Sequence, residues 1–189
     1  MSSVLSDQDI QKAVGQEILI EPFDPSMIRP SSIRLRIGST FLMMLNSNQP
    51  IDTQASDTLE YFKQIDTNGE PFVLPPKTLV LAPSFEKIGL SPKLTGLLNT
   101  ISSLARIGLS CHGSSGLVPA GYGEKLGSHI TFELYSYGSA PIILYPTMPV
   151  CHLTFVRNFT PAEYGYEAEH RFYSGQLVEP ADFSQHPIR

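Results

Sequence analysis

His129-Ile130-Thr131-Phe132-Glu133-Leu134-Tyr135 alternates polar and apolar residues without interruption. A period of two puts Ile130, Phe132 and Leu134 on one face of a strand and Thr131, Glu133 and Tyr135 on the other. Ser32 to Ile37 alternates in the same way, with Ile33, Leu35 and Ile37 facing opposite to Arg34 and Arg36. Further strands are expected at Glu17 to Ile20, Phe41 to Leu45, Thr78 to Ala82, Leu94 to Asn99, Ile142 to Leu144 and Val150 to Phe155. Turn residues separate most of them at short spacing, which argues a mainly β distorted barrel or sandwich rather than a doubly wound sheet. Ser6-Asp7-Gln8-Asp9 reads as a capping box opening a short helix, with Ile10, Ala13 and Val14 as its apolar stripe. Asn46 to Asn68 is polar and weakly patterned and reads as an excursion from the core.

The chain has 189 residues, enough for one domain with a sizeable core. Sixteen prolines and fourteen glycines are spread along it, as many short strands joined by turns require. A formal net charge of −5 excludes a broad nucleic-acid surface but leaves room for a small anionic ligand held by a local cluster of donors. Two cysteines, Cys111 and Cys151, form neither a disulfide framework nor a C-x-x-C zinc pair. The N-terminus carries no apolar run of signal or membrane length, so a cytoplasmic protein without membrane contact is expected.

Thr100-Ile101-Ser102-Ser103-Leu104-Ala105-Arg106-Ile107-Gly108-Leu109 places two hydroxyls at the start of a short helical turn that ends at Gly108. Arg106 lies one turn on, on roughly the same face. The plain reading is a serine cap with a solvated arginine; the functional one is an anion site. Glu133 has the same two readings, a carboxylate on a solvated strand face or a proton carrier. Gly113 to Gly123, rich in small residues, precedes it and lets a flat ligand approach the backbone closely. Arg34 and Arg36 read as a solvated or intersubunit face, with a basic mouth for a ligand as the lesser reading. Tyr122 is expected to pack in its turn and Cys111 to be a small buried residue.

The order Ser-Ser-Leu-Ala-Arg-x-Gly-Leu, then His112, then a small-residue loop with Ala120-Gly121-Tyr122, then Thr131-x-Glu133-Leu134 resembles the dCTP deaminase branch of the dUTPase superfamily. Ile20-Glu21-Pro22-Phe23, Pro30-Ser31-Ser32-Ile33, Leu35-Arg36-Ile37-Gly38 and Tyr173-Ser174-Gly175-Gln176 are similar to further family segments. The resemblance implies a dUTPase-like distorted barrel over residues 1–160. A tail over 161–189 would close over the active site, in a homotrimer with intersubunit sites. It implies hydrolytic deamination of dCTP to dUTP and ammonia without zinc, the magnesium ion arriving with the nucleotide phosphates. Glu133 matches the general base and acid. Ser102 and Arg106 match the residues that position the attacking water, and a backbone carbonyl at Ser115 helps hold it. Ser103 matches a phosphate-binding serine. Val118 falls among the substrate-binding positions, and Tyr173 and Gln176 match residues that close over the nucleotide.

Three departures stand out. Ile101 replaces the arginine that usually precedes the serine pair and reaches the phosphates. Pro119 replaces an aspartate, which argues against dUTP hydrolysis. Arg34 reverses the charge of the acidic residue in the early Ser-x-Asp-Leu-Arg motif. The alternative reading is therefore a relative that binds a nucleotide or protein partner with weak or no turnover.

Overall fold

The computed structural model describes residues 3–111, 115–166 and 178–183. Strand β1 (Ser3–Val4) leads into helix α1 (Asp7–Ala13), followed by β2 (Ile18–Glu21), β3 (Ile28–Arg29), β4 (Ser32–Arg36), β5 (Thr40–Met44), β6 (Phe62–Asp66), β7 (Phe72–Leu74) and β8 (Leu79–Leu90). Then come β9 (Leu94–Thr100), helix α2 (Ser102–Ala105), β10 (Leu109–Ser110), β11 (Leu117–Val118), β12 (Ser128–Ser136), β13 (Ile142–Leu144) and β14 (Pro149–Arg157). One sheet runs β11-β9-β14-β4-β3 with β1 added to β14; the other runs β10-β12-β8-β5-β6 with β2 added to β8. Strands β7 and β13 form a separate ribbon, with Ile143 opposite Val73.

The expected alternation decides which faces meet. Ile33, Leu35, Leu98, Leu153 and Phe155 of the first sheet are buried, as are Phe41, Val80, Ile130, Phe132 and Leu134 of the second. All belong to one continuous core. Removing this apolar surface from water is the main stabilising term, about 25 cal/mol per Å². The capping box also forms: the Ser6 hydroxyl accepts from the Asp9 amide at 3.3 Å and the Asp9 carboxylate accepts from the Ser6 amide at 3.2 Å.

The expected barrel is not closed. The two sheets keep separate edges and are joined between Ile37 and Ser84 by an isolated bridge, beside which the Gly38 amide donates to the Pro83 carbonyl at 2.9 Å. Strand β8 is irregular at this junction. His129 pairs with Lys87 and Thr131 with Pro83, so β8 inserts Ser84, Phe85 and Glu86 where β12 uses one residue. This bulge bends the strand and interrupts its ladder. It is held by Ser84, whose hydroxyl accepts from the Ile130 amide at 2.9 Å and donates to the Glu86 carbonyl at 2.6 Å.

The polar stretch 46–68 is not wholly an excursion, because it contains β6, paired with β5. The C-terminal segment 178–183 returns to it. The Thr58 hydroxyl and amide donate to the Ala181 carbonyl, and the Phe183 amide donates to the Ser56 carbonyl at 2.8 Å. Val178 packs with Leu42 and Leu81 on the outer face of the second sheet.

Candidate active site

Helix α2 links the two sheets, leaving β9 of the first and leading to β10 of the second. Ile101 occupies the N-cap, and no side chain caps the turn. This corrects the capping reading of the serine pair: Ser102 and Ser103 are already helical, and both are exposed. Among the described residues their hydroxyls make no hydrogen bond, and Arg106, the C-cap, is exposed and forms no ion pair. Gly108 takes φ +86, where its hydrogen lets the Gly138 amide approach; a Cβ there would lie 2.8 Å from that nitrogen. The hydroxyl pair is therefore spent neither on the helix nor on a neighbour, and it faces solvent on the same turn as Arg106.

The loop that follows returns to β9. The Leu98 amide donates to the Gly116 carbonyl at 2.7 Å, and Leu117 and Val118 pair with Leu97 and Gly96. Ser115 is exposed and Val118 is buried. Ser102, Ser103 and Arg106 thus lie on the turn after β9 and Ser115 on the loop that returns to it, whereas the Val118 side chain packs into the core. Tyr173, Gln176 and His112 lie outside the described residues.

Glu133 sits on β12 opposite Leu81, half-buried on the outer face, as the alternation requires. Leu81 is part of the small apolar cluster that Val178 covers. The chain's C-terminal segment therefore passes close to the Glu133 face. Ser110 of β10 pairs with Tyr135, two residues from Glu133. Ser102, Ser103 and Arg106 lie on α2, which leads through β10 to the edge of the sheet that carries Glu133.

Other titratable groups are structural. The Tyr122 hydroxyl donates to the His129 carbonyl at 2.7 Å, its ring lies 5.5 Å from that of Tyr166, and burial pushes its phenol up. His129 Nδ1 lies 2.7 Å from the Ser84 carbonyl. Cys111 and Cys151 are buried free thiols; the neighbouring Cys111 thiol and burial push the Cys151 thiol up. Among the described residues, no three His, Cys, Asp or Glu side chains gather where they would hold a metal ion, and no helix is long and apolar enough to cross a membrane.

The two arginines of β4 have different fates, which sequence reasoning missed. Arg36 is not solvated. Its amide donates to Glu86 Oε2 at 2.9 Å and its Nε to Glu86 Oε1 at 2.6 Å, and its guanidinium lies 4.7 Å from the Phe85 ring centre. Arg34 lies half-buried on the outer face of the first sheet, with His152 opposite it on β14 and Asn99 opposite His152 on β9. The Ser32 hydroxyl lies 3.0 Å from His152 Nδ1.

Three comparisons bear on this arrangement. The family model described as dCTP deaminase-like matches residues 4–158. A protein of Acidothermus cellulolyticus, "dCTP deaminase, dUMP-forming", is 37% identical over 165 residues, covering 86% of this chain and 84% of its own. Proteins of the same name from Persephonella marina and Corynebacterium efficiens are 34% and 38% identical, each covering 92% of this chain and 92% and 90% of their own. Among solved structures, the 2'-deoxycytidine 5'-triphosphate deaminase of Agrobacterium tumefaciens superposes with a TM-score of 0.65 at 19% identity, over 83% of this chain and 48% of that one. This likeness supports the fold alone. The sequence matches run through the serine turn, the small-residue loop and the Glu133 strand, and on their strength this chain belongs to the dCTP deaminase-like family.

Proposed function

We propose that this protein deaminates dCTP hydrolytically and releases dUMP. One water adds to C4 of the cytosine ring and ammonia leaves, giving the uracil ring. A second water cleaves the bond between the α and β phosphates, giving dUMP and pyrophosphate. The observation that carries this reading is the similarity to relatives named "dCTP deaminase, dUMP-forming" over 84% and 92% of their length. Their printed product replaces the dUTP expected from the sequence.

Glu133 is the proton carrier in this reading. It takes a proton from the attacking water and returns protons to the ring and the departing amine. Ser102 and Arg106 orient that water and stabilise developing charge, with the Ser115 carbonyl as a further acceptor. Ser103 binds phosphate, Val118 lines the substrate position, and Tyr173 and Gln176 close over the nucleotide. Magnesium enters with the triphosphate, and no zinc takes part. The family resemblance favours a homotrimer whose sites are completed between subunits. Leu97 and Leu117, paired on an outer face at 40% and 59% exposure, offer apolar surface for such contact.

The test is turnover of dCTP with magnesium, following ammonia, uracil nucleotide and pyrophosphate together. Equal amounts of ammonia, dUMP and pyrophosphate are expected. Accumulation of dUTP without pyrophosphate would remove the second hydrolysis and assign its loss to Pro119. No product from a folded protein that binds dCTP would favour the non-catalytic relative. Glu133→Gln should lower turnover by about 100-fold or more while dCTP binding and Tm stay unchanged; full activity in that variant would overturn the role of Glu133.

A further inference from the structure

Arg34 and Arg36 are neighbours on one face of β4, yet the fold satisfies one and leaves the other. Arg36 is clamped by Glu86 through both its backbone amide and its guanidinium. Arg34 Nε is sealed from solvent, and among the described residues it has no hydrogen-bond partner and Arg34 forms no ion pair. A buried donor on a charged group left unpaired is costly, so such a group calls for an explanation. Its surroundings are cationic as well. Burial and the charges of Arg34 and Arg29 hold the His152 imidazole below its ordinary value. Arg29 itself is occupied, donating to the carbonyls of Ser26 at 2.8 Å and Ile28 at 2.6 Å. The row Arg34, His152, Asn99 is thus a strip of donors with an uncompensated positive charge at one end.

The register relates this strip to the serine turn. Arg34 pairs with His152 and His152 with Asn99, so all three lie on the outer face. Asn99 and Ile101 share that face by alternation, and Ser102 follows directly. Two strand spacings separate Arg34 from Asn99, about 10 Å, and three residues of rise from Asn99 to Ser102 add about 10 Å more. A long arginine side chain and an extended polyphosphate together span such a gap. Ile101 contributes no donor along it.

We propose that Arg34 is the cation that receives the phosphate chain of the nucleotide, so that the charged contact missing at Ile101 on the β9 side is supplied from β4. This rests on the reading of Ser102 and Ser103 as a nucleotide site. It makes Arg34 a specificity residue that selects triphosphates over nucleosides and monophosphates. It also ties two departures from the family pattern, the lost arginine at Ile101 and the gained one at Arg34, into a single relocation of charge.

The experiment compares Arg34→Gln with the wild-type protein. Kinetics are measured with dCTP, deoxycytidine serves as a competitive ligand, and binding of inorganic tripolyphosphate is followed by calorimetry. Loss of one charge-assisted contact should raise KM for dCTP by about tenfold or more, with a smaller change in kcat. Tripolyphosphate binding should weaken in parallel, while deoxycytidine binding stays as in wild type. The double variant R34Q/I101R should recover affinity for dCTP. Equal KM values for R34Q and wild type would overturn the role of Arg34 and leave the proposed reaction standing. Equal weakening of dCTP and deoxycytidine would also overturn it, because phosphate would not be what Arg34 reads. A wild-type protein that binds tripolyphosphate through Arg34 but turns over no dCTP would keep this site and remove the reaction. If R34Q does not fold, Arg34→Met decides: it keeps the length of the side chain but removes the charge, so a higher KM for dCTP with unchanged deoxycytidine binding supports the site, and wild-type KM overturns it.

Discussion

Glu86 and Glu133 show how one residue type takes two fates. Glu86 is 2% exposed and its carboxylate accepts from both the amide and the guanidinium of Arg36, pinning the bulge of β8 to β4. Glu133 stands on the outer face of β12, beside surface that the C-terminal segment partly covers. Glu86→Gln should cost about 2 kcal/mol, because the largely buried Arg36 guanidinium loses its close counter-charge and keeps only Asp24, 3.9 Å away and more exposed; the midpoint of urea unfolding reads this directly. At this scale the sequence is least transparent. Arg34 and Arg36 occupy equivalent places in an alternating strand. What separates them is a carboxylate fifty residues along the chain in Glu86, brought in by a bulge that no local pattern announces. The Glu133 face, by contrast, follows from alternation alone.

At the scale of elements, local chemistry was readable wherever it is self-contained. The α1 capping box needs only Ser6 and Asp9, and both halves form. Ser6→Ala should therefore destabilise the protein by about 1 kcal/mol, seen as a lower Tm with no change in the unfolding slope. Strand β8 was harder. Its expected extent of Thr78 to Ala82 becomes Leu79–Leu90, because Pro83 reads as a strand end. The bulge tolerates that proline by spending three residues against one. Strand β6 and the ribbon strand β7 were missed, the first because its residues are mostly polar and exposed, the second because Phe72–Leu74 is too short to show a period. The serine turn was expected to be capped by its own hydroxyls. The N-cap falls instead on Ile101, and this frees the hydroxyls for a ligand.

Across the whole molecule, the mainly β class and the single apolar core were legible, whereas closure of the barrel was not. Closure depends on pairing between distant edges, which alternation within one strand does not encode. Long-range charge pairs are equally silent in sequence. Glu17 Oε2 accepts from Arg157 Nη2 at 2.6 Å, and Lys93 lies 3.4 Å from Glu17 Oε1. The Arg157 hydrogen bond holds the Glu17 carboxyl below its ordinary value of 4.5. A carboxyl lowered on folding adds stability above its unfolded value and loses it as pH falls through the folded value. Glu17→Gln should thus be less stable than wild type at neutral pH, with the difference closing below about pH 4.5 in thermal melts.

Strand β14 lies between β9 and β4, and it also receives β1. During synthesis, β3–β4 and β9–β11 emerge as two separate pairs with nothing between them. At translation speeds of about 5–20 residues per second, those open edges wait for seconds on the ribosome before residues 149–157 arrive to join them. The nascent chain is thus most exposed to mispairing with a neighbouring copy on the same polysome just before its first sheet is completed.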